Sequence, residues 1–394
     1  MMIDHVEVFK RSIAPTFSRL DPIDISPDSA EDRLLEPYRI RANAIIEEHK
    51  RIRADADMSP VYFDYIDHPR LNARAFYDES VQSGYVGMFT GTVLLLHDMF
   101  FRLLAHPKIL PNVGDASAEK PRAPFDKEGL FANYQQLLDG RGVRGGRLDS
   151  VVPNDPARAE YARTLAGYAF DFLMFHELAH HAHGHCRYVN SLGIHFIMEL
   201  GASDDDDIGA EKNDPIMRQA LEVDADIYAA LLTWSLRIRA PSDSQLTRRA
   251  MLERGTEIVV PKELFMRDWI FAIFIMFWMF DYDFNVDDFR TRKHPAPPQR
   301  ASLAFAGIMG AAEKLSDRET NIKVERAFNR NDAIIALLLI TDQKILPKIE
   351  AYIKLEDEGR GPLARHYTEL VMPKIAELQP TLKQYGSRDV PLAM

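Results

Sequence analysis

Residues 175–185 read Phe-His-Glu-Leu-Ala-His-His-Ala-His-Gly-His. Within this run His176, Glu177 and His180 form the pattern His-Glu-x-x-His. On an α-helix, positions four apart lie one turn apart on the same face. Both imidazoles can therefore reach one metal ion. Glu177 sits beside them and can reach a water on an open coordination position. The chemistry that this spacing serves is hydrolysis. A Zn²⁺ ion lowers the pKa of its water to roughly 7, and a neighbouring carboxylate takes the proton and passes it to a leaving amine. The bland alternative is a solvated histidine-rich helix, and the rest of the chain weighs against it.

A zinc hydrolase uses three protein ligands and keeps a fourth position for water. His176 and His180 supply two, so the third must come from another element. The best candidate is Glu222, on the next strongly helical segment, 216–237. Four residues on and on the same face, Asp226 is placed to accept a hydrogen bond from the outer ring nitrogen of a liganding histidine, expected to be His176. Such a bond fixes the tautomer and strengthens the ligand. The oxyanion formed on attack needs a donor, for which His294 is the candidate. His181, His183 and His185 compete as ligands. His183 faces the same way as His176 but lies about 10 Å further along the axis, too far for one ion. All three read as surface or hydrogen-bonding histidines, and Cys186 as a small buried residue.

The elements that must position these residues follow from periodicity. Segment 31–56 reads as an exposed amphipathic helix and 60–66 as a strand. A turn at 67–70 leads to Asn72 and Ala73. Residues 84–92, with three glycines, read as a second strand or a loosely packed segment. A helix over 93–105 follows. Region 107–157 is rich in proline and glycine and reads as a surface insertion, a spacer or a guiding loop, with one short helix at 127–138. Asp155-Pro156 is a good N-cap and N1 pair for the helix that carries the motif, which is expected to run on through Tyr188. Residues 201–215, with four consecutive aspartates at 204–207, read as a solvated loop, because the alternating ligands of a calcium loop are absent. A helix over 262–284 carries an aromatic apolar run. From 301 to about 385 the chain is helical in pieces and carries no chemical motif.

The chain has 394 residues, 46% of them hydrophobic and 27% charged, the composition of an ordinary globular protein. Its net charge is −11 and no basic stretch can follow a phosphate backbone, so nucleic acid is not an expected partner. A single cysteine excludes an internal disulfide and fits a reducing, cytoplasmic setting. The first residues contain no apolar signal region. The apolar runs at 84–96 and 269–280 cover roughly 20 Å each as helices, short of the roughly 30 Å hydrocarbon core. They are expected to be buried core, with no stable membrane insertion. No feature fixes an oligomeric state.

His-Glu-x-x-His followed by Glu222-Val223-Asp224-Ala225-Asp226 resembles the gluzincin metallopeptidases. It resembles the HtpX and CAAX prenyl protease group more narrowly. His185 stands nine residues after the first ligand, as in that group. Asn72-Ala73 stands where its upstream Asn-Ala pair precedes a substrate-binding edge strand, and His294-Pro295 with Arg300 matches its downstream motif. The resemblance covers roughly 60–105 and 156–305. It implies Glu222 as third ligand, Asp226 behind a ligand histidine, His294 at the tetrahedral intermediate, Asn72 and Ala73 at the substrate, and Arg300 as a structural residue, an anchor of the His294 loop or a substrate contact. The group's members are membrane proteins, whereas this chain shows no spanning helix. A looser resemblance runs to the phage-exclusion Lit-type peptidases.

The resulting expectation is an α+β, mainly α fold: a zincin-like metallopeptidase core with a small sheet and added helices. An N-terminal helical arm (1–59), a catalytic domain (60–310, with the insertion) and a C-terminal helical region (311–394) make up the chain. The expected activity is zinc-dependent hydrolysis of a polypeptide, with a substrate strand pairing along 85–91. The rivals are a metal-dependent amide hydrolase for small molecules and a non-enzymatic binding protein with a structural zinc. The last would need a fourth ligand from His183, His185 or Cys186.

Overall fold

The computed structural model describes residues 3–14, 17–20, 32–53, 59–68, 72–120, 151–194, 197–198, 214–233, 236, 261–280, 285, 288–314, 333–334, 336, 338, 346–356 and 361–386. The expected helix at 127–138 and the aspartate run lie outside them. In chain order the elements are α1 (His5–Ile13), α2 (Asp32–Ile52), β1 (Val61–Ile66), β2 (Ala73–Asp78), β3 (Ser83–Phe89), α3 (Thr90–Leu104), α4 (Pro156–Ala182), α5 (His185–Ser191), β4 (Ile197–Met198), α6 (Pro215–Thr233), α7 (Pro261–Phe280), α8 (Pro297–Lys314), α9 (Leu346–Glu356), α10 (Pro362–His366) and α11 (Met372–Leu382). The fold is α+β and mainly helical.

The sheet has four strands in the order β1-β3-β2-β4. β1 runs parallel to β3, with Val61 opposite Gly84. β2 and β3 form an antiparallel hairpin, with Ala73 opposite Met88 and Asp78 opposite Ser83. The hairpin turn is fixed by Asp78, whose Oδ1 accepts from the Ser80 amide at 2.9 Å, and by Gln82 at φ 50°. β2 was not expected as a strand, yet its Arg-Ala-Phe-Tyr run pairs on both sides, through β3 and through the two residues of β4. β3 is consequently internal. The expectation that 85–91 offers a free edge to substrate is overturned, because both of its edges are already bonded and residues 90 and 91 begin α3.

Alternation along the strands sorts side chains between two layers. Ile66, Phe76, Tyr85 and Phe89 pack with Val8, Phe9 and Ile13 of α1. Tyr65, Ala75, Tyr77, Val86 and Met88 join the main core that includes α4. Helix α4 is the centre of that core, and every residue from Leu165 to His180 is buried. It packs against α3, α6 and α7. Burial on all sides explains why its hydrophobic pattern has little directional bias. Its start is as expected: Asp155 accepts from the Arg158 amide at 2.9 Å and Pro156 stands in the first turn.

Helix α2, expected to be exposed, buries Leu35, Ala42, Ile45 and Ile46. The main core continues into the C-terminal segment through Ile349, Tyr352, Tyr367, Ile375 and Leu382. The three expected segments thus contribute to one buried cluster. The aromatic run of α7 lies inside it, with Trp269, Ile273 and Met276 buried. Among the described residues no helix is long and apolar enough to cross a membrane. The first part of the insertion is tied down by Arg158, which is fully buried and donates to the carbonyls of Leu104, His106, Ile109, Leu110 and Val113.

Candidate metal centre

Helices α4 and α6 bring His176, His180 and Glu222 together, with one donor atom from each lying within 4.8 Å of the others. His176 Nε2 and His180 Nε2 are 3.0 Å apart. The Glu222 carboxylate oxygens lie 3.4 Å from His176 Nε2 and 3.6 Å from His180 Nε2. Ligands held at 2.0–2.1 Å in a tetrahedral zinc site stand about 3.3 Å from one another. The two imidazole nitrogens and the nearer carboxylate oxygen to each, Oε2 for His176 and Oε1 for His180, stand close to that value, so the donor set is compatible with a zinc-sized ion. All three residues are at most 2% exposed. Three buried polar groups without a shared ion are costly to hold so close.

Electrostatics favour a neutral His180 and an ionised Glu222. Burial, then the neighbouring His176, push His180 well below the usual histidine range. Burial alone would raise the Glu222 carboxyl, but the nearby His176, His294 and His180 rings prevail, and it is held well below the carboxylate range. Metal binding requires these two protonation states. Glu177 is buried beside the trio, and its charge acts on Cys186, whose thiol is pushed well up chiefly by burial. Cys186 is therefore an unreactive packing residue.

Asp226 takes the expected position. His176 Nδ1 donates to Asp226 Oδ1 at 2.9 Å. Behind it, Arg300 of α8 donates to both Asp226 oxygens at 2.8 Å and is 2% exposed, its guanidinium stacked 4.5 Å over Phe277. Arg300 therefore anchors the carboxylate that orients His176, which matches the structural option for it. His294 lies in the segment before α8, with Nδ1 3.6 Å from Glu222 Oε2 and 14% of its side chain exposed. It is the most accessible group of the cluster. Asn72 and Ala73 are buried at the start of β2. The Asn72 amide donates to Thr92 Oγ1, its carbonyl accepts from Thr92 and from the Phe89 amide, and its side chain accepts from the Ala73 amide. These bonds hold the corner between β2 and α3, a framework position in place of the expected substrate contact.

No family model, curated protein or solved structure matches this chain.

The helix carrying the motif ends earlier than expected. Gly184 adopts φ 77°, and α5 starts at His185. A Cβ on Gly184 would lie 2.4 Å from the Gly386 amide nitrogen, so glycine is required both by φ and by the close passage of the C-terminal segment. The three further histidines are all engaged: His183, at the end of the helix, and His185, just after the break, are buried, and His181 Nε2, inside the helix, bonds the Tyr85 carbonyl at 3.1 Å. The surface option for them is corrected in favour of the hydrogen-bonding one. Gly84 makes room for the His181 ring, whose Nδ1 would be 2.6 Å from a Cβ there. His183 Nδ1 is bonded to Asp224 Oδ2. Sequence reading passed over Asp224, which spacing places on the opposite side of α6 from Glu222 and Asp226. A cavity of about 510 Å³ between α2 and β1 is lined by Ile46, His49, Arg53, Tyr62 and Leu178, among others. It meets α4 at Leu178, which is turned away from His176 and His180, so it does not serve the trio.

Proposed function

We propose that the protein is a zinc-dependent endopeptidase, with His176, His180 and Glu222 as ligands and Glu177 as general base. The observation that carries this reading is the convergence of those three buried donors, with Glu177 next to His176 in the chain and Asp226 and Arg300 locking His176 from behind. A bound zinc ion would supply an acidified water and a Lewis acid for the scissile carbonyl. The chain's own residues supply the rest. Glu177 accepts a proton from the attacking water on its carboxylate and delivers it to the amine nitrogen as the C–N bond breaks. His294 donates to the oxygen that becomes negative. Three ligand donors and an adjacent carboxylate suit an open site better than a closed structural one. The gluzincin resemblance and a zincin-like core belong to this reading, as does a cytoplasmic location, which rests on the single buried Cys186.

The burial of His176, His180, Glu177 and Glu222 also favours a second reading, a metal-dependent amide hydrolase for a small substrate. One comparison separates the two. New protein N-termini are mapped in cells making the wild type and in cells making Glu177→Gln. Termini confined to the wild type support the endopeptidase and name its substrate. Identical termini, with zinc bound to both proteins, remove it in favour of the small-molecule hydrolase.

A further inference from the structure

A second buried trio stands next to the first. His183, His185 and Asp224 place donor atoms within 4.8 Å of one another. His183 Nε2 and His185 Nε2 have no hydrogen-bond partner among the described residues, which favours an ion there. The two trios are joined by a contact between His180 Nδ1 and His185 Nδ1, 3.0 Å apart and buried. That contact decides between them.

A neutral imidazole has one N–H and one lone pair, so a ring-to-ring bond needs one donor and one acceptor. Suppose His180 gives its Nε2 lone pair to a metal. Its proton is then on Nδ1 and is donated to His185 Nδ1. His185 must carry its own proton on Nε2, which lies 3.1 Å from Asp224 Oδ2. That proton then faces a carboxylate oxygen at ion-pair distance, although His185 Nε2 makes no hydrogen bond of good geometry among the described residues. Suppose instead that an ion in the second trio takes the Nε2 lone pair of His185. Its proton moves to Nδ1 and is donated to His180, whose proton is forced onto Nε2. His180 can then no longer bind a metal. With neutral rings the two trios exclude one another.

We propose that His185 and Asp224 form a proton-ordered relay that fixes His180 for metal binding, and that the His183–His185–Asp224 trio holds no ion of its own while the first is occupied. The proposal rests on the ligand set His176, His180 and Glu222. It makes the two ligand histidines equivalent in kind: Asp226 holds His176 directly, and Asp224, two residues earlier on α6, holds His180 through one intervening ring. His185 and Asp224 are positioning residues, and His183 steadies Asp224.

The test uses the full chain, stripped of metal and titrated with zinc against a chromophoric chelator. The expected result is one zinc per chain. His185→Phe and Asp224→Ala should weaken it about 10- to 100-fold, the usual effect of removing a group behind a ligand. Asp224→Asn, which keeps an acceptor, should recover part of the loss, and His183→Phe should change affinity less than about threefold. Two zinc ions per chain in the wild type would overturn the relay. One zinc lost in His183→Phe but kept in His176→Ala would overturn both the relay and the ligand set beneath it. One zinc lost in His176→Ala but held at full affinity by His185→Phe would overturn the relay alone. Should His185→Phe or Asp224→Ala fail to fold, ¹⁵N-histidine spectra of the zinc-loaded wild type decide the same question. The proposal requires the proton on Nδ1 of His180 and on Nε2 of His185, and the reversed pair of tautomers overturns it.

Discussion

Replacing Glu177 by Gln keeps the size of a side chain that is 1% exposed and removes only its ability to accept a proton. The variant should bind zinc as the wild type does and lose about 10²–10⁴-fold in hydrolysis rate. Zinc analysis alongside turnover of a peptide substrate checks this, and retained activity would remove Glu177 as the base. Arg300 gives a different signature. Its guanidinium meets Asp226 at two points with neither group in water. Arg300→Ala leaves that carboxylate buried against His176 alone, and should cost about 3–5 kcal/mol of stability in urea unfolding. A loss under about 1 kcal/mol would mean that Asp226 finds its support elsewhere. These residues were only partly legible in the sequence. His176, His180, Glu222 and Asp226 could be read because residues four apart share a face on each of two helices, and spacing survives without coordinates. Asp224, His185 and the direction of Arg300 could not, since each depends on which face of one element meets another.

At the level of elements, the caps and breaks decide how far reading reached. Asp155-Pro156 marked the start of α4 because the N-cap bond is local. The end of α4 was missed, although Gly184 was visible, because the pattern of histidines continues past it. Only the passage of Tyr385 and Gly386 over this corner shows why the chain must turn there. Gly184→Ala should therefore destabilise by at least the roughly 1–2 kcal/mol of a left-handed non-glycine residue, with the clash added. Zinc affinity should fall with it, since the same turn delivers His185 to His180. An unchanged melting temperature would show that the C-terminal segment does not rest on the turn. The internal position of β3 was equally out of reach. Its apolar, glycine-spaced pattern suits an edge or a centre, and the choice was made by β2, whose charged and aromatic residues hid a strand that pairs on both sides.

For the molecule as a whole, buried His49 and half-buried His97 predict a dependence of stability on pH. Burial, with the nearby charge of Arg163, lowers His97 to about 4, and burial with Arg53 lowers His49 to about 3. Both rings are neutral in the folded state over the range where an unfolded histidine, near 6.5, takes up a proton. The unfolded chain then binds more protons, so stability is complete above about pH 7 and falls as pH drops through 6.5 toward the folded values. Each such histidine should cost about 1 kcal/mol between pH 7 and 5.5. The effect is separable from the zinc ligands when chelator is present throughout. His97 stacks on Phe101, with ring centroids 3.9 Å apart, so His97→Phe preserves the packing and removes the titration. Urea unfolding of the two proteins at both pH values should show the variant losing about 1 kcal/mol less than the wild type on acidification. Equal losses would place the His97 proton uptake in the folded state as well, and the ring would have to reach water that the packing of α3 against α4 denies it.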